Sequence, residues 1–458
     1  MTRLLPVVGS LVLALGSGSA CGARTSLDVN ETADARILDG GGGDAPTLLD
    51  ASLDAPKSLC RAALLLGAPA PIDGYCPTKA NQSSFEAPDS KPRVVWSVAL
   101  PGLPDTNVPV IVAPNGRLYV ILDQDSLDPS APYERLVAVD DGTIRWNLDL
   151  ATPIWNPILA ADGSLLVWSS DESIHRVDPG GASLGKLRFP RDGLGGPGVA
   201  SDGTLYFSID VFSDAGARVL AFTQAGETRW VSPVVGPYGQ MATGIDDSTI
   251  MTYMKLLAPG SIDAGLAPAF EGWVASVRPA DGSIAWRTKI GDPGYIQDGP
   301  AVGLDGSLYF VVWTSNDTKN ELVVLNPDGS MRVRADLGEP PCCAGTTFLT
   351  LGLDGAAFIK AGQAFIGVDK DGVRRFKHPS PPNINAGCTV DARGRLLLST
   401  DTDIELLEPS SGGTIWRANT FPEDIHDGGH VLSFPGPATL GDRVLYFVDG
   451  SGTLFAMR

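Results

Sequence analysis

Few stretches of this chain bring together residues that could do chemistry. Two of its four histidines fall in Asp424-Ile425-His426-Asp427-Gly428-Gly429-His430, where Asp424, His426, Asp427 and His430 offer imidazole and carboxylate donors of the kind that suits zinc or manganese. Gly428 and Gly429 interrupt any helical His-x-x-x-His spacing, so the expectation is a polar, solvated loop with no metal. Asp123, Asp125 and Asp128 resemble a calcium loop in spacing alone; they lack its glycine and terminal glutamate and read as turn residues. Cys342, Cys343 and Cys388 leave one thiol over whichever bond forms, and the sequence does not choose between Cys342 with Cys343, either one with Cys388, or none. There is no phosphate-binding P-loop and no Cys-x-x-Cys-His haem site. No catalytic residue, cofactor or metal is expected.

The elements that would have to position such groups repeat. Asn115-Gly116-Arg117-Leu118-Tyr119 returns as Asp162-Gly163-Ser164-Leu165-Leu166, Asp202-Gly203-Thr204-Leu205-Tyr206, Asp305-Gly306-Ser307-Leu308-Tyr309, Asp354-Gly355-Ala356-Ala357-Phe358 and Arg393-Gly394-Arg395-Leu396-Leu397, with weaker copies at Asp246-Asp247 and Gly441-Asp442. Asp-Gly before an apolar run marks a tight turn feeding a strand, because Gly accepts a positive φ. The carboxylates recurring at this spacing therefore belong to turns, not to acid–base pairs. A second phrase alternates with the first and ends in an aromatic residue: Trp96, Trp146, Trp230, Trp286 and Trp416 occupy that place, with Phe189, Val333 and Phe376 standing in elsewhere.

Trp96 to Trp416 covers seven intervals of roughly 46 residues, the length of a four-stranded propeller blade. The last unit, from Asp442 to Met457, lacks a fourth strand, and Val94 to Leu100 is expected to supply it from the other end of the chain, closing the ring and leaving no free sheet edge. The fold predicted is all-β: an eight-bladed β-propeller over residues 91–458, with seven blades the alternative because the Asp247 unit is poorly marked.

Composition agrees. The chain has 458 residues, 43% of them hydrophobic and 19% charged, with 54 Gly and 36 Pro, as expected of short strands joined by many turns. A net charge of −19 argues against nucleic acid, whose phosphates are held by cations. At the N-terminus, Arg3 followed by the apolar stretch Leu4 to Leu15 reads as a signal peptide, residues 1–20, too short for a lasting membrane span. Gly18-Ser19-Ala20-Cys21 resembles a bacterial lipobox, which implies acylation of Cys21, and Gly22 then implies outer-membrane sorting; cleavage after Ala20 without lipid is the alternative. Residues 21–57 are rich in Asp, Gly and Ala and read as a disordered tether. Residues 58–90 form a short segment with Cys60 and Cys76, for which a local disulfide is the preferred pairing.

Asp140-Asp141-Gly142-Thr143-Ile144-Arg145-Trp146, with its echo from Asp281 to Trp286, resembles the tryptophan-docking repeat of the PQQ-like, or quinoprotein-like, β-propellers over about four-fifths of the chain. That superfamily contains quinone-dependent dehydrogenases and also cofactor-free lipoproteins of the outer-membrane β-barrel assembly machinery. In the alcohol dehydrogenase members a vicinal disulfide lies against the quinone, and Cys342-Cys343 resembles it, but in the sixth unit where the enzymes carry it early. The expected function is therefore a non-catalytic envelope lipoprotein, a monomeric propeller that binds an envelope protein partner as a scaffold. Its insertions at Asp123 to Pro132 and Met254 to Phe270 are the expected recognition loops. The alternatives are a periplasmic quinone-dependent oxidoreductase and, for location, the soluble periplasm.

Overall fold

The computed structural model describes residues 80–458, apart from single positions, short gaps and the longer connections 105–108, 124–133, 189–194, 210–215, 257–269, 315–318, 339–348, 380–387 and 420–437. The signal peptide, Cys21, the tether, Cys60 and Cys76 lie outside the described residues.

Every regular element among the described residues is a strand, and the strands form eight antiparallel sheets. Blade 1 runs from Leu103 to Leu150 and has five strands, because its inner strand is split into Leu103–Pro104 and Ile111–Val112. Blade 2 spans Ile154 to Arg188, blade 3 Gly195 to Val231, blade 4 Met241 to Gly291, blade 5 Gly294 to Asp336, blade 6 Leu349 to Pro379 and blade 7 Cys388 to Asn419. Blade 8 consists of Thr439–Leu440, Leu445–Val448, Thr453–Met457 and, from the other end of the chain, Val94–Ala99. That strand pairs antiparallel with Thr453–Met457, Ala99 opposite Thr453 and Trp96 opposite Ala456, as the repeat predicts. The seven-blade alternative is overturned: Met241–Thr243 to Ile284–Gly291 form a complete blade around the poorly marked Asp247 turn.

Within a blade the strands are A to D from the axis outward. Seven A–B turns close with the same bond, from the backbone N–H of the first of five turn residues to the carbonyl of the last: Ala113 to Arg117, Ala160 to Ser164, Ala200 to Thr204, Gly244 to Ser248, Gly303 to Ser307, Gly352 to Ala356 and Asp391 to Arg395; the blade 8 turn is one residue shorter, Gly441 to Val444. The Asp at the third place accepts the N–H two residues on, as Asp162 does from Ser164 at 3.0 Å and Asp305 from Ser307 at 3.0 Å. The fourth place needs φ near +80°, which Gly supplies. Asp247 at +65° takes it in blade 4, and in the shorter turn of blade 8 Arg443, the residue before the last, is left-handed at +54°, which is why those turns escape the Asp-Gly pattern.

The core lies between blades. Strands B and C are apolar on both faces, for example Leu118 to Leu122 and Leu136 to Val139, and interdigitate with the next sheet. Strand D alternates, burying one face and wetting the other, as in Thr143–Leu150.

Candidate functional site

The marker aromatics join neighbouring blades. Each stands on strand D of one blade and covers the C–D turn glycine of the next. Trp146 packs on Gly181, and its indole N–H donates to the Pro179 carbonyl at 3.0 Å. Trp230 on Gly282 donates to Pro279 at 2.8 Å, and Trp286 on Gly329 donates to Pro327 at 3.1 Å. Trp96 faces Gly142, while Val333 and Phe376 cover Gly372 and Gly412. Phe189 lies outside the described residues, and Leu187 is the side chain nearest Gly226. Behind four of these rings sits an aromatic of strand B in the same blade: Tyr119 with Trp146 at 5.9 Å, Tyr206 with Trp230 at 5.7 Å, Phe358 with Phe376 at 6.1 Å and Tyr446 with Trp96 at 6.2 Å. Burial pushes the Tyr446 phenol up to about 12.

Trp416 has no such turn to meet, because blade 8 has a chain break where its C–D turn would be. Its indole N–H donates instead to the carbonyl of Pro88 at 2.8 Å, in a buried bond. Residues 80–93 thus take the place of the missing turn. Residues 80–90, assigned from the sequence to a separate Cys-containing segment, are packed on the propeller as a strap, with Ala80, Gln82, Ser83 and Ala87 buried.

The strap follows the A–B turns around the channel mouth. Phe85 accepts from Ala392 N–H and Glu86 from Arg443 N–H, in the turns of blades 7 and 8. Gln82 forms a parallel bridge with Val390 on the channel-facing edge of blade 7's inner strand, and its side-chain amide donates to the Leu351 carbonyl of blade 6 at 3.0 Å. Ala80 accepts from Leu351 N–H at 3.0 Å. Asp391 is the electrostatic anchor. Its fully buried carboxylate accepts from Ala87 N–H at 3.0 Å and from the Arg395 guanidinium at 2.8 Å, while Arg395 and Arg393 also hold Asp89. Glu86 pairs with Arg393 at 2.6 Å and Arg443 at 3.1 Å; the Arg393 hydrogen bond foremost holds its carboxyl below the usual range.

A second polar cluster, unmarked in the sequence, bridges blades 6 and 7. His378 Nε2 lies 3.4 Å from Glu405, which accepts from Thr414 Oγ1 at 3.2 Å, and His378 Nδ1 lies 3.1 Å from the Gly412 carbonyl. Burial opposes ionisation of Glu405, but the His378 hydrogen bond and the charges of His378 and Arg417 hold its carboxyl below the usual range. Only a register that pairs one blade's strand D with the next blade's C–D turn brings these side chains together. The expectation from the sequence that the propeller holds no Gly-x-Ser-x-Gly is incorrect, since Gly181-Ala182-Ser183-Leu184-Gly185 has that form. Here it opens an outer strand rather than a helix, and Ser183 Oγ accepts from Gly185 N–H at 3.3 Å.

Asp424, His426, Asp427, His430, Cys342, Cys343, Asp125 and Asp128 lie outside the described residues. Cys388 is a free, buried thiol, so neither pairing that includes it is formed, and burial pushes it far above the usual thiol range. Among the described residues no three of His, Cys, Asp or Glu come close enough to hold a metal ion. The turn carboxylates are committed to Asx turns and arginine pairs, such as Asp140 with Arg117 at 2.7 Å.

Several known structures share this fold. The BamB of Moraxella catarrhalis superposes with a TM-score of 0.52 at 12% identity, over 80% of this chain and 99% of that one. The fold is an eight-bladed β-propeller. The quinohemoprotein alcohol dehydrogenase of Comamonas testosteroni matches at TM-score 0.57 and 12% identity over 86% and 81% of the two chains, and a europium-containing methanol dehydrogenase at 0.55 and 12% over 83% and 89%. In sequence, residues 271–390 match a family model described as outer membrane protein assembly factor BamB. No curated protein matches the sequence significantly.

Proposed function

We propose that this protein is an envelope lipoprotein whose propeller is a non-catalytic scaffold for a protein partner. The match of residues 271–390, from strand C of blade 4 into blade 7, to the BamB family model carries this reading, and the lipobox-like Gly18 to Cys21 supports it. Cys21 is the anchor, residues 21–57 are the tether, and the location is the outer membrane. Cys60 and Cys76 form a local disulfide at the tether's end.

The two faces of the ring divide the work. The strap occupies the Asp-Gly turn face over blades 6 to 8. The strand ends flanking 124–133 and 257–269 lie on the opposite face, where strand B passes to strand C. That face presents the loops to the partner, since rigid strands that hold variable loops are the usual basis of recognition.

Crosslinking in intact cells, followed by capture through a C-terminal tag, tests the proposal. Subunits of an envelope assembly complex recovered with the wild type and lost with Cys21→Ala are expected. Recovery of abundant neighbours alone refutes the scaffold, and dye reduction after incubation with quinone and calcium replaces it with the oxidoreductase.

A further inference from the structure

The junction between blades 5 and 6 lacks the indole bond made at the junction before it. Trp286 of blade 4 donates its N–H to the Pro327 carbonyl in the C–D turn of blade 5, but the same place in blade 5 is Val333, which covers Gly372 and has no donor to offer. Near the A–B turns the Tyr309 hydroxyl of strand B donates to the Gly355 carbonyl of blade 6 at 2.9 Å. Toward the other end of that strand the same face carries polar groups of a different standing.

Strand register puts them side by side. Leu308–Thr314 pairs with Lys319–Leu325 without a shift, so Trp313 lies opposite Asn320. Tyr309, Val311, Leu322 and Val324 pack in one cluster with Leu349 and Ile359 of blade 6. Side chains alternate along a strand, so Trp313 and Asn320 face blade 6 as well. Directly opposed residues stand about 5 Å apart at their Cβ atoms. Asn320 is fully buried, and among the described residues neither its amide nitrogen nor its amide oxygen has a hydrogen-bond partner. The Trp313 indole N–H is likewise buried and unpaired. The backbone carbonyl of Asn320 is taken by the Leu337 N–H at 2.9 Å, and the Leu337 side chain belongs with Ala361 and Ala364 of blade 6 to the same apolar cluster. Those three offer only hydrocarbon side chains.

An indole donor, an amide donor and an amide acceptor thus stand together between two blades. Buried polar groups left unpaired are costly, and folded proteins satisfy such groups with internal water where a site is polar and supplies two or more partners. We infer that Trp313 and Asn320 hold ordered water between blades 5 and 6, the indole N–H donating to the water oxygen and the water donating to Asn320 Oδ1. The water makes one network of two side chains that apolar neighbours on blade 6 cannot serve.

A crystal structure fine enough to order water tests this, together with urea unfolding of Asn320→Leu, Trp313→Phe and the double variant. Density within hydrogen-bond distance of both Trp313 Nε1 and an Asn320 amide atom is expected. Asn320→Leu should lower the folding equilibrium constant about tenfold, because it strands the indole N–H and the water. The double variant removes both polar partners, so its loss should fall short of the sum of the single losses. Leucine is close to asparagine in size, which leaves the sign of the effect to the polar groups. Three results overturn the inference: a gain in stability for Asn320→Leu, as a dry, unpaired amide would give; single losses that simply add; or a backbone group of the chain bonded to Trp313 Nε1 or the Asn320 amide in place of water.

Discussion

Replacing Gly282 with alanine tests whether the aromatic rings on the C–D turns hold the blades together. Gly282 has φ +73°, and a Cβ built on it would lie 2.5 Å from the Trp230 ring. That ring cannot retreat cheaply, since it stacks on Tyr206 at 5.7 Å and donates to Pro279 at 2.8 Å. The left-handed backbone costs alanine about 1 kcal/mol. Forcing a methyl into a filled site adds about 2 kcal/mol, for a total of about 3 kcal/mol. Gly116 is the control: φ is +81° and nothing lies within 4 Å of a Cβ there, so Gly116→Ala bears the backbone cost alone, about 1 kcal/mol. Unfolding entropy of about 2.1 cal/mol/K per residue over roughly 370 residues converts these costs into Tm losses of about 4 °C and about 1 °C. Calorimetry with parallel urea titrations measures both variants. A difference below about 0.5 kcal/mol would refute the reasoning, because it would mean that the ring moves aside freely and the turn glycine is kept for its φ alone.

Trp416→Phe should cost about 1–3 kcal/mol by leaving the buried Pro88 carbonyl without its donor, while Trp286→Phe, whose bond is exposed, should cost less than about 1 kcal/mol; urea midpoints of the two variants decide it. Asp391→Asn removes the buried charge facing Arg395 and should cost about 3 kcal/mol while loosening the strap, read as faster hydrogen exchange at Ala87. Glu405, despite its burial, is held below its ordinary value by His378 and Arg417, and Asp140 is held low by the Arg117 hydrogen bond. Both therefore bind protons more readily in the unfolded chain, so their stabilisation is present above about pH 5 and is lost as pH falls through the folded-state values; Glu405→Gln should flatten that acid limb in pH-dependent unfolding. Cys388 should resist alkylation in the native state and react at the global unfolding rate, followed by mass spectrometry in a urea series.

The blades were legible because turns and docking residues depend on local chemistry. Asp-Gly at a fixed offset from an apolar run specifies the A–B turn by itself, and a tryptophan recurring at one place specifies the blade length. Blade 4 was faint because Asp247 adopts the left-handed conformation without glycine. The strap was invisible for a different reason. Its bonds join Gln82 to Val390, Arg393 to Glu86 and Trp416 to Pro88, each across some 300 residues, and no periodicity carries a contact of that kind. His378 and Glu405 are likewise unremarkable in sequence and meet only because adjacent blades align. The longest insertion shows a smaller limit. Met254 to Phe270 reads as one loop, but Thr249–Leu256 and Phe270–Val277 are paired strands with Leu256 opposite Phe270, so only the connection between them can be deleted without cutting the sheet.

A closed ring is as strong as its weakest junction, and this one has a junction that is not made by consecutive chain. Seven blades present a C–D turn to a side chain of the blade before them, aromatic in five cases; blade 8 has only the ends of its third and fourth strands, at Met457 and Val94. Pairing of Val94–Ala99 with Thr453–Met457 closes the sheet but leaves Trp416 without a turn to cover. The Pro88 carbonyl fills that vacancy, and Asp391 holds Ala87 in register beside it. The residues that close the ring are therefore continuous with those leading to Cys21. The Asp391 carboxylate has five donors nearby, of which the Ala87 N–H alone comes from the strap; the N–H groups of Arg393 and Arg395 and two guanidinium nitrogens of Arg395 fix it within blade 7's own turn, so the strap meets a rigid acceptor.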